Sequence, residues 1–408
     1  MSDERTAGAL EGIRVVDLTQ MLAGPYCTQM LADHGAEVIK VESPEGDHSR
    51  TVGPYRADDA DHRMSGYFAS INRNKKSVVI DLKQPGAADL LRRLIASADV
   101  VVENFRAGVM DRLGLSYETL RQDNPRLVYA AIRGFGDPRT GKSPYVDWPA
   151  FDVVAQAMGG LIAITGPDAG MASKAGPGVG DIIPGMMTAF GIVSAILRAR
   201  ISGRGQFLDV AMVDAILATC ERIVHQYSYT GAVPGPDGNR HPILCPFGLF
   251  PAKDGFVTVA APVDGLWRTL AVLIGREDLR DDPRTRTNDL RALHRELVEG
   301  AVAEFTRAHT KAELSAILGG KVPFGPVYRV DEIYADPHFA ARDMIVSVES
   351  PGTVEPVRIA GIPVHMSDTP GSIRSRPPLL GEHTDAVLAE HGFSAAEIAE
   401  LHARKIVR

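Results

Sequence analysis

Short runs of β-branched and aliphatic residues recur along the first half of the chain. Ile13–Thr19 (IRVVDLT), Glu37–Glu42 (EVIKVE), Ser77–Leu82 (SVVIDL), Asp99–Glu103 (DVVVE) and Leu127–Arg133 (LVYAAIR) each read as a strand. Helical segments separate them. Ala23–His34 reads as a turn and a helix closed by Gly35, and Pro85–Ser97 as a helix with Pro in its first turn. Nearly continuous apolar strands alternating with helices predict an α/β fold, with a parallel sheet covered on both faces. Further on, Gly180–Arg200 reads as a long buried helix, Phe207–Val210 as a strand and Met212–Tyr229 as a second long helix. The texture changes after a Gly- and Pro-rich loop at Gly231–Pro246. Phe256–Ala260 is one strand, followed up to Gly320 by helices rich in Arg, Asp and Glu, which suggests a smaller second domain. From Val322 the chain returns to short strands and Pro-rich loops, and Glu382–Arg404 reads as a helical tail.

Composition narrows the function classes. The chain has 408 residues, with 51 acidic and 44 basic side chains and a formal charge of −7. That balance argues against general nucleic-acid binding, so an anionic ligand has to be met by a local cluster of Lys and Arg. The apolar stretch Met186–Leu197 is twelve residues long, short of the roughly 20 a membrane span needs. MSDERTAGALEG lacks the basic start and apolar core of a secretory signal. Cys27, Cys220 and Cys245 are too scattered for a disulfide framework or a zinc site. These features predict a cytoplasmic protein without membrane or nucleic-acid partners. The histidines show no metal-binding spacing, and no G-x-S-x-G elbow is present.

Several segments carry candidate chemistry. Gly136–Ser143 (GDPRTGKS) fits the P-loop pattern, but Pro144 and Pro149 leave no room for the helix that a P-loop opens. It reads as a polar turn, from which Lys142 can still reach a phosphate. Gly178 and Gly180 echo a dinucleotide fingerprint, but Ile183 stands where its third glycine belongs. Asp181 lies between the glycine-rich AGPGVG and the apolar run IIPGMMTAFGIVSAIL. Two readings stand at this point: an Asp capping a long helix, or a partly desolvated functional carboxylate with a raised pKa. Basic residues cluster in NRNKK (72–76) before one strand and in ENFRAGVMDR (103–112) after another. Ligands of α/β sheets bind at strand C-terminal ends, where Arg and Lys suit phosphate oxygens.

Ordered motifs then run along almost the whole chain: LEGIRVVDLTQMLAGPYCTQMLADHGAEVIKVE, GDHSR, NRNKKSVVIDLK, VVENFRAGVMDRLGLSYE, RGFG, FDVVAQAMGGL, GVGDIIPGM, SGRGQFLDVAMVDA, VPFGPVYRVDEIYADP and PPLLGEHTDAVL. On these motifs the chain resembles the family III CoA-transferases, which include formyl-CoA:oxalate transferase, carnitine CoA-transferase and α-methylacyl-CoA racemase. The resemblance implies a large Rossmann-like domain built from both chain ends, a smaller inserted α+β domain and an interlocked homodimer. The implied boundaries are 1–225 and 326–408 for the large domain and 226–325 for the small one. It places Asp181 as the nucleophile that moves CoA between carboxylic acids through a mixed anhydride and an aspartyl-CoA thioester. CoA and acyl-CoA are then substrates, with no tightly bound cofactor and no metal. By the same resemblance Lys75, Asn104, Phe105 and Arg112 fall in the CoA site, with Lys75 and Arg112 facing phosphates. Ala23, Gly24 and Pro25 form the turn beside the thioester.

Two departures bear on the subclass. Racemases of this family carry a His where this chain has Phe151, and oxalate-type transferases carry a Gln where it has Leu22. An acyl-CoA racemase and a non-catalytic CoA-binding protein remain as alternatives. Arg240 and His241 sit in a divergent loop, where they either bind a second substrate carboxylate or are solvated. The donor and acceptor acids are not legible in the sequence.

Overall fold

The computed structural model describes residues 7–168 and 170–408. The chain forms two compact units. One comprises the residues up to Leu161 together with Ala175–Thr230 and His338–Arg408; the other comprises Ile162–Lys174 and Gly231–Pro337.

The first unit is built on a six-stranded sheet. Its strands are β1 (Arg14–Asp17), β2 (Glu37–Glu42), β3 (Lys75–Val79), β4 (Val100–Glu103), β5 (Val128–Arg133) and β6 (Phe207–Ala211), in the order β3-β2-β1-β4-β5-β6. Every pairing is parallel. Val16 on β1 lies opposite Ile39 on β2 and Val101 on β4, and all three are fully buried. The helix Ala87–Ala96 turns Leu90, Leu91, Leu94 and Ile95 onto this core. That spacing of 1, 3 and 4 residues is an amphipathic helix burying one stripe.

The strand order reverses between β1 and β4. In an open parallel sheet the loops leaving two such neighbours diverge, and a crevice opens at their C-terminal ends. The helix Ala23–Asp33 follows β1 and packs against the long helix Val179–Ser202. Gly185 permits that approach, since a Cβ there would lie 2.5 Å from the Ala23 carbonyl oxygen.

The observed sheet differs from the expectation that both chain ends build it. All six strands come from residues 14–211, and the C-terminal segment covers an edge instead. His383 donates its N–H to the Ser77 carbonyl, the Asp81 N–H bonds Ile406, and Ile80 bridges Val407. The C-terminal segment also forms an antiparallel hairpin of its own, β10 (Ile345–Val348) with β11 (Val357–Ala360). Two helices expected to be continuous are broken. Met212–Thr219 stops at Cys220 before Glu221–Thr230 begins, and the tail divides into Thr384–Glu390 and Ala395–Ala403 around Gly392.

Val179–Ser202 is long and apolar enough to cross a membrane by length and composition, unlike the twelve-residue run read from the sequence. Here Thr188, Ala189, Ile192, Ala195, Ile196 and Ala199 bury one side of it.

The second unit pairs an antiparallel sheet, β7 (Phe247–Ala252), β8 (Gly255–Ala260) and β9 (Phe324–Pro326), with helices around buried Trp267, Leu270, Val298, Val302 and Leu314. Arg240 is held there by Glu299 at 3.0 Å and Glu296 at 3.2 Å. Its guanidinium is therefore paired within its own unit.

Candidate active site at the strand-order reversal

The loops after β1 and β4 are tied together. The Asn104 side chain accepts the Gln20 N–H at 3.0 Å and donates to the Gln20 carbonyl at 2.8 Å. Above this clamp lies a cavity of about 520 Å³. Its lining includes Leu22, Ala23, His48, Asn104, Arg106 and Asp181, together with the aromatic residues Phe105, Phe135, Trp148 and Phe151. Three cavities are larger: two, of about 890 and 640 Å³, open along the β10–β11 hairpin, and one of about 560 Å³ lies in the second unit. None touches the ends of β1 and β4, so the smaller crevice is the site that the sheet topology points to.

Asp181 is the third residue of the long helix. The cap position is Gly178, which offers no side chain, and the Gly180 N–H is taken by Asp152 Oδ1 at 2.8 Å. Asp152 therefore does the capping, and the helix-cap reading of Asp181 does not hold. Gly180 has to be glycine for this contact, because a Cβ there would lie 2.3 Å from the Asp152 carbonyl oxygen. The Asp181 carboxyl is half-buried and has no hydrogen-bond partner among the described residues. Burial, and then the nearby Asp152 charge, push its pKa up to about 7. Leu22 and Ala23, which line the same cavity, begin the helix Ala23–Asp33, which has no side-chain cap, and their N–H groups are unpaired among the described residues.

The other expected residues divide into three groups. Asn104 and Phe105 line the cavity, and Arg133 Nε holds the Phe105 carbonyl at 3.2 Å. Gly24 and Pro25 lie behind Ala23: a Cβ on Gly24 would collide with Thr19 at 2.2 Å, and the Pro25 carbonyl accepts from Lys75. Arg112 and Lys142 are exposed on the surface of the same unit, outside the cavity lining.

Lys75 is a correction. It is buried, and its ammonium donates to Asp17 Oδ2 at 3.1 Å, to the Pro25 carbonyl at 2.9 Å and to Asn72 Oδ1 at 2.9 Å. An ammonium has three protons, and all three are used. Lys75 supports the turn from beneath and does not face phosphates. Asp17 stays ionised: burial is outweighed by Lys75, Lys40 and the hydroxyls of Thr19 and Thr28, which hold its pKa at about 2.

The P-loop-like segment is a turn, as its prolines require. No helix follows Ser143. Asp209 Oδ2 takes the Asp137 N–H at 2.9 Å and the Thr140 hydroxyl at 2.5 Å, so a carboxylate occupies groups that a phosphate would need.

Sequence reading missed Tyr67, Arg106 and Asp152. Burial, and then the charges of Asp181, Asp47 and Asp152, push the Tyr67 phenol up to about 12, although Tyr67 itself lines the cavity of about 640 Å³. Arg106 lines the cavity with no acidic partner among the described residues. Arg133 also lines it, but is ion-paired to Glu103 and Asp137. Among the described residues no cluster of His, Cys, Asp and Glu is arranged to hold a metal.

Comparison with known proteins gives one family. The model of CoA-transferase family III matches residues 10–384. The succinyl-CoA:mesaconate CoA-transferase of Haloarcula hispanica is 44% identical over 94% of this chain and 97% of its own. The succinate–glutarate CoA-transferase of Agrobacterium fabrum is 41% identical over 93% and 95%. A crystal structure of a CAIB/BAIF family protein from Brucella suis superposes with a TM-score of 0.83 at 36% identity, covering 94% of this chain and all of that one. The chain belongs to CoA-transferase family III.

Proposed function

We propose that this protein moves CoA from an acyl-CoA donor to a free carboxylic acid, with Asp181 as the nucleophile. The observation that carries the reading is a half-buried carboxyl with no hydrogen-bond partner among the described residues, lining a cavity at the strand-order reversal. An ionised Asp181 attacks the donor thioester carbonyl. The C–S bond breaks, leaving a mixed anhydride and CoA thiolate. The thiolate attacks the aspartyl carbonyl of that anhydride, the C–O bond breaks, and the donor acid leaves as its carboxylate. The acceptor carboxylate then attacks the aspartyl-CoA thioester, re-forming an anhydride and thiolate, and the thiolate takes the acceptor acyl group and frees Asp181. Each bond made replaces one of similar activation, so no ATP enters. The Leu22 and Ala23 N–H groups supply donors for the oxyanions that form on the way. The aromatic wall keeps water from the anhydride.

CoA is longer than this cavity, so its phosphates extend to surface cations; Arg106, Arg112 and Lys142 are the candidates on this unit. The acids are proposed to be short dicarboxylates, as the names of the two curated relatives suggest. His48 and Arg106 supply cavity groups without acidic partners among the described residues, suited to a second carboxylate. A screen of acyl-CoA donors against carboxylate acceptors, read by mass spectrometry, tests both points. Succinyl-CoA with a C4 or C5 diacid is expected to exchange fastest; exchange confined to monocarboxylates removes the dicarboxylate assignment. Phe151 offers no acid or base for α-carbon inversion, which weighs against a racemase.

The working form is proposed to be a cytoplasmic homodimer, with Gly231–Pro337 as most of a smaller domain. Phe190, Val193, Leu197 and Ile201 lie on one face of the long helix, exposed at 77, 42, 63 and 72%. Contiguous apolar stripes of this kind are rare on monomers, and a second copy is the occupant this reading assigns. Light scattering is expected to give twice the chain mass, and Phe190→Glu to shift the population toward monomer. A wild type that stays monomeric at micromolar concentration removes the assignment.

A further inference from the structure

Beneath the cavity lies a set of buried charges that the transfer chemistry does not use. Lys40 on β2 and Asp47, five residues beyond that strand, are fully buried and paired at 2.8 Å. The Lys40 ammonium also donates to the Thr19 carbonyl at 2.8 Å. Asp47 uses its other oxygen, Oδ1, to accept the Met21 N–H at 3.1 Å and the Ser49 N–H at 2.9 Å. From below, Asp17 accepts the Thr19 N–H at 2.9 Å. From the side, Asn104 clamps Gln20.

Residues 19–21 are thus held by side chains from four separate places, and none of their N–H groups joins the sheet ladder. Met21 has a φ of +66°, in the left-handed region that a non-glycine residue adopts at a cost. A conformation of this kind persists only where the surroundings enforce it. The next two residues are Leu22 and Ala23, whose unpaired N–H groups border the cavity with Asp181.

We infer that Lys40 and Asp47 form a positioning pair, which holds the Thr19–Met21 turn so that the following N–H groups meet the reacting carbonyl. The inference rests on the proposed role of Asp181. Neither side chain lines the cavity, so the pair acts through the backbone that it grips. Donors preset in this way stabilise a developing oxyanion without reorganising during the reaction.

Asp47→Ala removes the acceptor for Met21, while Asp47→Asn keeps an oxygen in its place and loses the charge facing Lys40. The Ala variant is expected to lose about 100-fold in the rate of Asp181 acylation, the scale of a 1 Å misplacement. The Asn variant is expected to recover about tenfold of that loss by keeping the hydrogen bond. CoA affinity, measured by calorimetry, stays within about threefold of wild type in both, because phosphate contacts lie elsewhere. Acylation is read by hydroxylamine trapping in a single turnover, with circular dichroism confirming the fold. Should the Ala variant not fold, the Asn variant decides alone, with an acylation rate roughly tenfold below wild type expected. A folded Asp47→Asn that acylates within twofold of wild type overturns the inference. So does a parallel loss of CoA binding, which would make the pair general scaffolding. If Asp181→Ala still turns over, the nucleophile assignment has failed instead, and the two failures are told apart.

Discussion

Asp181→Ala is expected to bind CoA like wild type and to lose at least about 10⁴-fold in transfer, as the loss of a catalytic nucleophile does. The variant removes the only group in the scheme that carries the acyl chain and then CoA. In wild type, hydroxylamine or borohydride added with acyl-CoA should modify the peptide containing Asp181. Exchange by purified Asp181→Ala at the wild-type rate sinks the assignment. The same carboxyl predicts a pH profile. Burial first and Asp152 second raise its pKa from 3.8 to about 7, and only the ionised form attacks. Acylation should therefore fall about tenfold per pH unit below 7 and level off above it. Asp152→Asn removes the like charge and moves the midpoint down. The stability effect has the opposite sense. A carboxyl whose folded pKa lies above its unfolded one stabilises the fold below about 3.8, and that contribution is lost as pH rises through about 7. Asp181→Asn should then raise the melting temperature at pH 8 and change it little at pH 4. A flat acylation profile between pH 5 and 8 contradicts the burial of the working group.

Lys75→Met is expected to cost about 3–5 kcal/mol of stability while leaving CoA affinity in the surviving folded protein unchanged. Removing the ammonium takes the ion-pair partner from Asp17, which is fully buried, and the Lys75 donor from the Pro25 carbonyl and Asn72. The unpaired charge sets the size of the effect. The measurement is the denaturant midpoint at fixed protein concentration, beside a calorimetric titration with CoA. A variant of near wild-type stability with weakened CoA binding would restore the phosphate-facing role and refute the buried one.

Lys75 also shows where sequence reading stops. In NRNKK one lysine looks like its neighbour, yet Lys76 bonds Glu37 and Glu390 near the surface while Lys75 points under the turn. Strand alternation separates the two only once β3 is known to begin at Lys75, and not at Ser77 as its apolar run suggests. The strands themselves were legible because each is a β-branched run bounded by turns. Their order was not, since the pairing of β1 with β4 joins residues some 85 positions apart. Asp181 stood out through its glycine-rich and apolar flanks, but the capping role fell to Asp152, 28 residues before the Gly180 whose N–H it accepts. Tyr67 and Asp47 carry no local signal either; what they do depends on groups that only the fold brings near. The break at Cys220 lies inside an amphipathic run that gives no warning of it.

The edge of β3 carries a consequence for how this chain is made. Its partners, Ser375, His383, Thr384, Ile406 and Val407, lie about 300 residues further along. At roughly 5–20 residues per second of synthesis, the strand waits some 15–60 seconds on the ribosome with one side open. Open edges recruit other strands. The nascent protein should therefore lean on chaperones during that interval, and ribosome-stalled chains ending near residue 370 should aggregate where those reaching 408 do not.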